Sequence, residues 1–580
     1  MGARKKRSTL SAIDLLTGCV QTAWKAQSGC VVSMLSLDIS GAFPNTSHER
    51  LCWVLERKRF PPWVVHFVQD FLRERRTRLT FSGFESAWFP MKTGIPQGSP
   101  LSPILFLLFI AELLESLQQP TDKTLGFGFV DDTNLIAWGS SARDNCRRLD
   151  AAHAKCVAWA KRYGAKFAPD KYQLIHFTRK RCDPSGDLAS SIRVNGHEVK
   201  PEAKLRILGV HVDPKLNWKE HIKEQVGRGT AAFEALSRLA TSTFGPSMRK
   251  ARLIYMATVR PAMMYGAQVW SIQEGEAPKA SDLRPLKTIQ NKCLRSITGG
   301  YKRTPTVALE REACVPPLDL YTEATALQRA VNTTNHPVYK NISGTLDTIW
   351  SQLKRTGHGR RGALTPRPPT GLERARQRAA QRIEESQRDV NPNRIRDASQ
   401  TRRRSSRPHA NRDRGPPRKA ECALSETWLK HKWKERWTNA ANGKTAATWN
   451  TPWSASPLRL YDNLPKHCAT ALMLLRTEVI GLNAWLASVG VPDVLPPCGC
   501  GWQAQTVRHV LLHCPNCEQQ RVDLMRDAGS EDLQAILTHA ASARAAARWF
   551  VRCGILEQFR TAHAINAEDI AEYAPFQALE

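Results

Sequence analysis

Two short apolar runs, each leading to aspartate, restrict the folds open to this chain more than any other feature. Met34 to Ile39 contains Leu37-Asp38-Ile39, and Gly126 to Val130 runs into Asp131-Asp132. Runs of this length that are rich in apolar residues read as strands, and each strand end here delivers a carboxylate. A strand ending in one aspartate is common, and a tandem aspartate also serves turns and helix caps, so neither feature alone defines a site. Between them, Ser102 as N-cap and Pro103 at the first helical position predict a helix ahead of the apolar run Ile104 to Leu117. Helix-period and strand-like stretches alternate to about residue 330, which predicts an α+β core followed by helices.

Composition supplies the expected partner. At 580 residues the chain is long enough for several domains, and 84 Lys plus Arg against 53 Asp plus Glu leave a net charge of +31. A polyanion is the natural counterpart. A membrane is the other anionic surface to weigh, but the longest apolar run, Ile104 to Ala111, falls far short of the roughly 20 residues a spanning helix needs. The start, Met-Gly-Ala-Arg-Lys-Lys, lacks the apolar core of a secretory signal. Fifteen cysteines, an odd number and mostly isolated along the chain, argue for reduced thiols rather than a disulfide framework. The chain thus reads as intracellular and not membrane-bound, with the nucleus as the expected compartment and the mitochondrion left open.

Texture changes along the chain suggest domain limits. Residues 354 to 419 are dominated by Arg, Pro, Gln and Ser and hold 20 basic against 6 acidic side chains, nearly half of the net charge. This stretch reads as an arm or linker that is disordered when free, with a transient helix near Leu372 to Gln387. From Leu286, apolar residues at Ile289, Cys293, Leu294 and Ile297 follow helical spacing, with Arg284, Lys287 and Arg295 on the other side. Near the end, Cys498-x-Cys500-x8-His509-x4-Cys514 offers soft thiolates and an imidazole at close spacing, which suits one tetrahedral Zn²⁺. His513 and Cys517 lie near enough to substitute for a member of that set.

The stretch between the two aspartate strands carries a more specific signal, Gly94-Ile95-Pro96-Gln97-Gly98-Ser99-Pro100-Leu101-Ser102-Pro103. Together, Leu37 to Phe43, Gly94 to Pro103 and Phe129 to Asp132 resemble the first aspartate motif, the Pro-Gln-Gly motif and the double-aspartate motif of non-LTR (LINE-type) retrotransposon reverse transcriptases. Ala165 to Phe177 with Lys171 resembles the next palm motif of that family, and Leu205 to Val212 its primer grip. Arg260-Pro261 with Tyr265-Gly266, and Gln290 to Gly299, resemble its thumb.

The resemblance implies a right-hand polymerase: fingers remnant and palm over 1–215, helical thumb over 216–335, Arg/Pro-rich basic linker over 336–420, and a helical C-terminal region over 421–580 with a Cys-Cys-His-Cys zinc knuckle at 498–514. It implies RNA-directed DNA synthesis onto a primer 3′-OH, with an RNA template, a DNA primer and deoxynucleoside triphosphates as partners. Two Mg²⁺ ions would be held by Asp38, Asp131 and Asp132. Phe43 falls where the family sets a bulky side chain against the incoming sugar, with an ordinary core phenylalanine as the plainer alternative. Gln97 and Gly98 would lie against template and nascent pair, unless the segment is only a tight turn. Lys171 would protonate or neutralise the leaving pyrophosphate, unless it is a solvated turn lysine.

Two departures qualify the match. Pro44 stands where an aspartate often follows the aromatic, and Arg7-Ser8-Thr9 resembles the end of the fingers, so earlier finger segments and an upstream endonuclease are expected to be missing. A ribonuclease H domain is not expected between thumb and knuckle either, because residues 335 to 420 are too short, too basic and too poor in strands. The alternative function is a remnant that binds RNA and DNA through thumb, arm and knuckle without polymerising.

Overall fold

A computed structural model describes residues 7–117, 122–194, 196–272, 279–333, 336–354, 365–390, 418–440, 445 and 457–559. It divides into two compact units. The first comprises Met1–His221, Gln268–Glu276 and Arg329–Ala380; the second comprises Ile222–Ala267, Ala277–Gln328 and Gln381–Glu580.

The first unit is built on a four-stranded antiparallel sheet with strand order β6-β7-β1-β8, from β1 (Val31–Leu37), β6 (Thr124–Phe129), β7 (Asp132–Gly139) and β8 (Gln173–Thr178). Each strand is apolar along most of its length because both faces are covered. Leu35, Leu37, Leu135, Ala137 and Leu174 point one way, into a core with Phe106, Phe109, Trp159 and Tyr163. Those aromatic residues come from helices α4 (Ser102–Leu117) and α5 (Ala142–Tyr163). The alternate residues Val32, Met34, Ile136, Trp138 and Phe177 are buried as well. By the pleat they face the other way, where α1 (Thr9–Ala26) packs along β1 and β6.

Local chemistry fixes the helix ends. Ser141 caps α5 by accepting from Asp144 N–H, and Gly164 ends it in the left-handed conformation at φ +69°. Asp187 braces the same N-terminus by accepting from Ala142 and Arg143 N–H. Ser102 departs from its expected role: it is the first residue of α4, and its hydroxyl donates to Pro96 carbonyl at 2.6 Å instead of capping the helix. The Pro-Gln-Gly segment and α4 are therefore tied together.

Before that segment, helices α2 (His48–Arg57) and α3 (Pro62–Leu72) pack on each other, and a small β-hairpin projects from the unit. Its short strands are β2 (Arg76–Thr77), β3 (Thr80–Phe81), β4 (Phe84–Glu85) and β5 (Phe89–Pro90), with Ser82 and Gly83 both at positive φ in the turn. Farther along, the short strands Leu205–Ile207 and Val210–Val212 pair about Leu208 and Gly209, which also sit at φ +47° and +82°.

The expectation of a disordered linker beginning at 336 is corrected in part. Pro337–Lys354 is a helix lying against α1, close enough that a Cβ on Gly18 would meet Leu346 at 3.1 Å. Gly371–Val390 is a second helix, and it opens with a capping box. Thr370 N–H donates to Glu373 at 2.6 Å, Glu373 N–H donates to the Thr370 hydroxyl at 3.3 Å, and Arg367 clasps the Glu373 carboxylate with two bonds of 2.8 Å. The reason is that several of the basic residues in this stretch make specific ion pairs instead of repelling one another in solvent. The most basic part of the proposed arm, with Arg402-Arg403-Arg404, lies outside the described residues. The boundary expected at 335 also differs from the compact units, since Gln268–Glu276 and Arg329–Ala380 group with the first.

The second unit is helical among its described residues. Ala280–Thr298 is an amphipathic helix, as its spacing suggests, but two of its basic residues are engaged. Lys287 pairs with Asp319, and Arg295 donates to the carbonyls of Tyr301 and Lys302. A fully buried ion pair, Arg476 with Glu312, joins Lys466–Thr477 to Thr306–Glu312, and Tyr461 adds a hydroxyl donor to the same carboxylate. Burial alone would raise the acid's pKa; the guanidinium and the hydroxyl hold Glu312 below the usual glutamate range.

Candidate functional site

Register places the acids. Leu37 in β1 pairs with Thr133 in β7, so Asp38 leaves β1 beside the point where Asp132 begins β7. Asp131 sits in the two-residue turn between Phe129 and Asp132, next to Val130 at φ +59°. A β-branched residue in that region is strained, so the sheet on both sides holds the turn in a costly shape. All three aspartates are partly exposed. Burial pushes Asp132 up to about 6, and the charges of Asp131 and Asp38 add to that shift. Hard oxygen donors that repel one another are the donor chemistry a divalent cation relieves.

Lys171 reaches the same place for a definable reason. The backbone after Asp38 is bound to the segment before Lys171: Ala168 N–H donates to Asp38 carbonyl at 3.0 Å, and Ser40 N–H to Lys166 carbonyl at 2.8 Å. The turn Pro169–Lys171 then delivers the ammonium to Asp38 Oδ2 at 3.0 Å. That contact raises the lysine pKa, through the hydrogen bond first and the charge second.

Phe43 is half-buried, with its ring centroid 5.3 Å from that of Phe106. Gln97 and Gly98 are exposed, and Gly98 has φ +90° with open space where a Cβ would stand. The two segments are stitched together. Gly94 N–H donates to Thr46 carbonyl at 2.8 Å, and Ile95 N–H to Phe43 carbonyl at 2.9 Å. His48 Nε2 hydrogen-bonds Gly94 carbonyl at 2.7 Å. His48 was not among the residues singled out from sequence; its side chain acts across 46 positions, and no local pattern reports that.

In the second unit, Cys498, Cys500, His509 and Cys514 come together with all four ligand atoms within 4.8 Å of one another. Cys498 Sγ lies 3.8 Å from Cys514 Sγ, and Cys500 Sγ 3.3 Å from His509 Nε2. Gly501 at φ +88° turns the chain between the first two cysteines and the rest, and Cys514 N–H donates to His509 carbonyl at 2.8 Å. His513 is exposed, and neither it nor Cys517 belongs to the group. Among the described residues this is the one metal-ligating group gathered so closely. Asp38, Asp131 and Asp132 are not drawn together to that degree, and Asp38 holds Lys171 instead.

The first unit thus holds strand-end carboxylates, a strained turn between two of its strands, and a Pro-Gln-Gly loop bonded to the segment that follows Asp38. Residues 1–212 match the family model for reverse transcriptase (RNA-dependent DNA polymerase), and they form a reverse transcriptase domain. The particular relatives are polymerases of non-LTR retrotransposons. The chain is 27% identical over 301 residues to the probable RNA-directed DNA polymerase from transposon BS of Drosophila melanogaster, a match covering 51% of this chain and 32% of the relative. It is 26% identical over 285 residues to the RNA-directed DNA polymerase from mobile element jockey of the same species, covering 49% and 30%. The chain thus spans about a third of the length of the curated relatives it matches. Among solved structures, telomerase from Candida tropicalis with a fragment of telomeric RNA aligns over 59% of this chain and 53% of that one, at 13% identity and a TM-score of 0.30. Among the described residues, no helix is long and apolar enough to cross a membrane.

Proposed function

We propose that this chain is an RNA-directed DNA polymerase that extends a DNA primer 3′-OH on an RNA template with deoxynucleoside triphosphates. The observation that carries the reading is the convergence of Asp38, Asp131 and Asp132 at neighbouring strand ends, within a domain matching reverse transcriptases. Asp38 and Asp131 would hold two Mg²⁺ ions, with Asp132 supporting them. Bound there, such ions supply an activated 3′-hydroxyl and a stabilised pyrophosphate.

The chain's own residues do the remainder. In this arrangement Lys171 is the counter-charge of Asp38, and its ammonium stands beside the acids, where it would protonate or neutralise the leaving group. Phe43, seated on Phe106 and bonded through its carbonyl to Ile95, presents a fixed edge against a sugar 2′-hydroxyl. Gly98 lets the backbone of the Gln97 loop approach template and nascent pair. In the second unit, one Zn²⁺ held by Cys498, Cys500, His509 and Cys514 would leave no open coordination position, so that knuckle binds nucleic acid rather than catalysing.

Primer extension on an RNA template with Mg²⁺ tests this reading. The native chain should incorporate deoxynucleotides and Asp131→Asn should not. Equal incorporation by both would overturn the catalytic assignment of these acids, and none by either while RNA binding is retained would leave a binding protein instead.

A further inference from the structure

The hairpin over residues 75–92 keeps its large apolar side chains in solvent. Leu79, Phe81, Phe84, Trp88 and Phe89 are each at least half exposed. A two-stranded hairpin is marginal by itself, and a cluster of rings left in water marks a binding surface. The rings are interleaved with positive charge: the segment holds Arg75, Arg76, Arg78 and Lys92 against a single acid, Glu85. Arg78 pairs with that acid and also lies 5.0 Å over the Trp88 ring. Arg76 and Lys92 have no ion pair among the described residues. Phe81 and Phe84 face each other across the turn with ring centroids 5.1 Å apart.

We propose that this hairpin is a stacking platform for an unpaired strand of RNA, holding template bases before they reach the catalytic acids. The inference rests on the polymerase reading above and names a site for its template. Basic residues that follow a phosphate backbone, alternating with exposed rings that stack on bases, are what a sequence-tolerant single-strand site requires. Uncompensated positive charge favours a polyanion over an apolar protein face or a second copy of the chain. Continuity supports the same occupant, because β5 leads directly into Gly94, which is bonded to Thr46 and His48, and then to Gln97.

Full-length chain and single-stranded RNA carrying 2-aminopurine provide the test, with affinity read at fixed salt. The double variant Phe81→Ala/Phe84→Ala, and separately Trp88→Ala, should each lose roughly tenfold or more in affinity for the single strand. Duplex RNA binding should change less than twofold, and photocrosslinks from 4-thiouridine RNA should map to 75–92. Arg76→Glu should weaken binding and flatten its salt dependence. Unchanged affinity with crosslinks elsewhere would overturn the platform, and so would hairpin variants that alter only the sedimentation of the free chain, which would assign the face to a second copy. The two readings fail separately. A chain that cannot extend a primer but loses RNA affinity in the hairpin variants keeps the platform and loses the polymerase; intact extension with unaffected RNA binding does the reverse.

Discussion

Gly94→Ala and Gly98→Ala form a matched pair that isolates the coupling between the sugar-facing and template-facing segments. Both glycines have nearly the same backbone, φ +93° and +90°, so alanine at either suffers about 1–3 kcal/mol of conformational strain. Their surroundings differ. A Cβ at Gly98 meets nothing within 4 Å, whereas at Gly94 it would lie 2.5 Å from Pro44 carbonyl oxygen and 3.0 Å from that carbonyl carbon. Ordinary contact begins at 3.4 Å, so one backbone must retreat by about 0.9 Å against the bonds to Thr46, Phe43 and His48. Forcing an extra methyl into packed structure costs about 1–3 kcal/mol more. At about 2–4 °C per kcal/mol for a unit of this size, Gly94→Ala should melt roughly 2–12 °C below Gly98→Ala. Displacement on this scale between Phe43 and Gln97 should also lower kcat/KM for primer extension about a hundredfold. Thermal denaturation with single-nucleotide extension checks both outcomes. Coincident melting, with Gly94→Ala extending as the native chain does, would refute the claim that the two segments move as one.

Three further outcomes follow from the same geometry. Replacing His48 with Ala should raise KM for deoxynucleotides and lower discrimination against ribonucleotides by roughly tenfold, while His48→Gln, which keeps a donor, restores most of both; steady-state kinetics with paired nucleotides measures this. At Glu373, burial would raise the pKa, but Arg367 and Thr370 N–H hold it at about 2 against an ordinary 4.5. Because the folded value is depressed, the stabilisation is fully present above pH 4.5 and is lost as pH falls toward 2. On the order of 3 kcal/mol should disappear over that window and be missing in Glu373→Gln, as read by hydrogen exchange in 365–382. Metal analysis of the purified chain should find one zinc, lost in Cys500→Ser and retained in His513→Ala.

Local signals carried much of the architecture. Strands ending in aspartate and the Ala280–Thr298 helix were visible as runs of apolar period, and the structure moved their ends by only a few positions. The Cys/His spacing left His513 and Cys517 open; folding decides between them, because the turn at Gly501 and the bend between His509 and Cys514 bring only the four members together. A helix near Leu372 to Gln387 was legible within the Arg-rich stretch; what its average composition hid is the Thr370-Gly-Leu-Glu373 capping box that starts the helix and the specific pairs that hold it. The 75–92 hairpin was also legible in principle, with Ser82-Gly83 between alternating apolar residues. Three facts were beyond any local pattern: the Lys171–Asp38 pair, the His48–Gly94 bond and the helix Pro337–Lys354 against α1. Each joins residues far apart in sequence, and one chain without its relatives offers no register for such contacts.

Cleavage by iron-generated hydroxyl radicals tests the central claim most directly. With Fe²⁺ in place of Mg²⁺, the backbone should be cut near Asp38 and near Asp131-Asp132 in the same molecules, and both cuts should vanish in Asp131→Asn. Cuts confined to one segment, or unaffected by that substitution, would contradict a shared metal site.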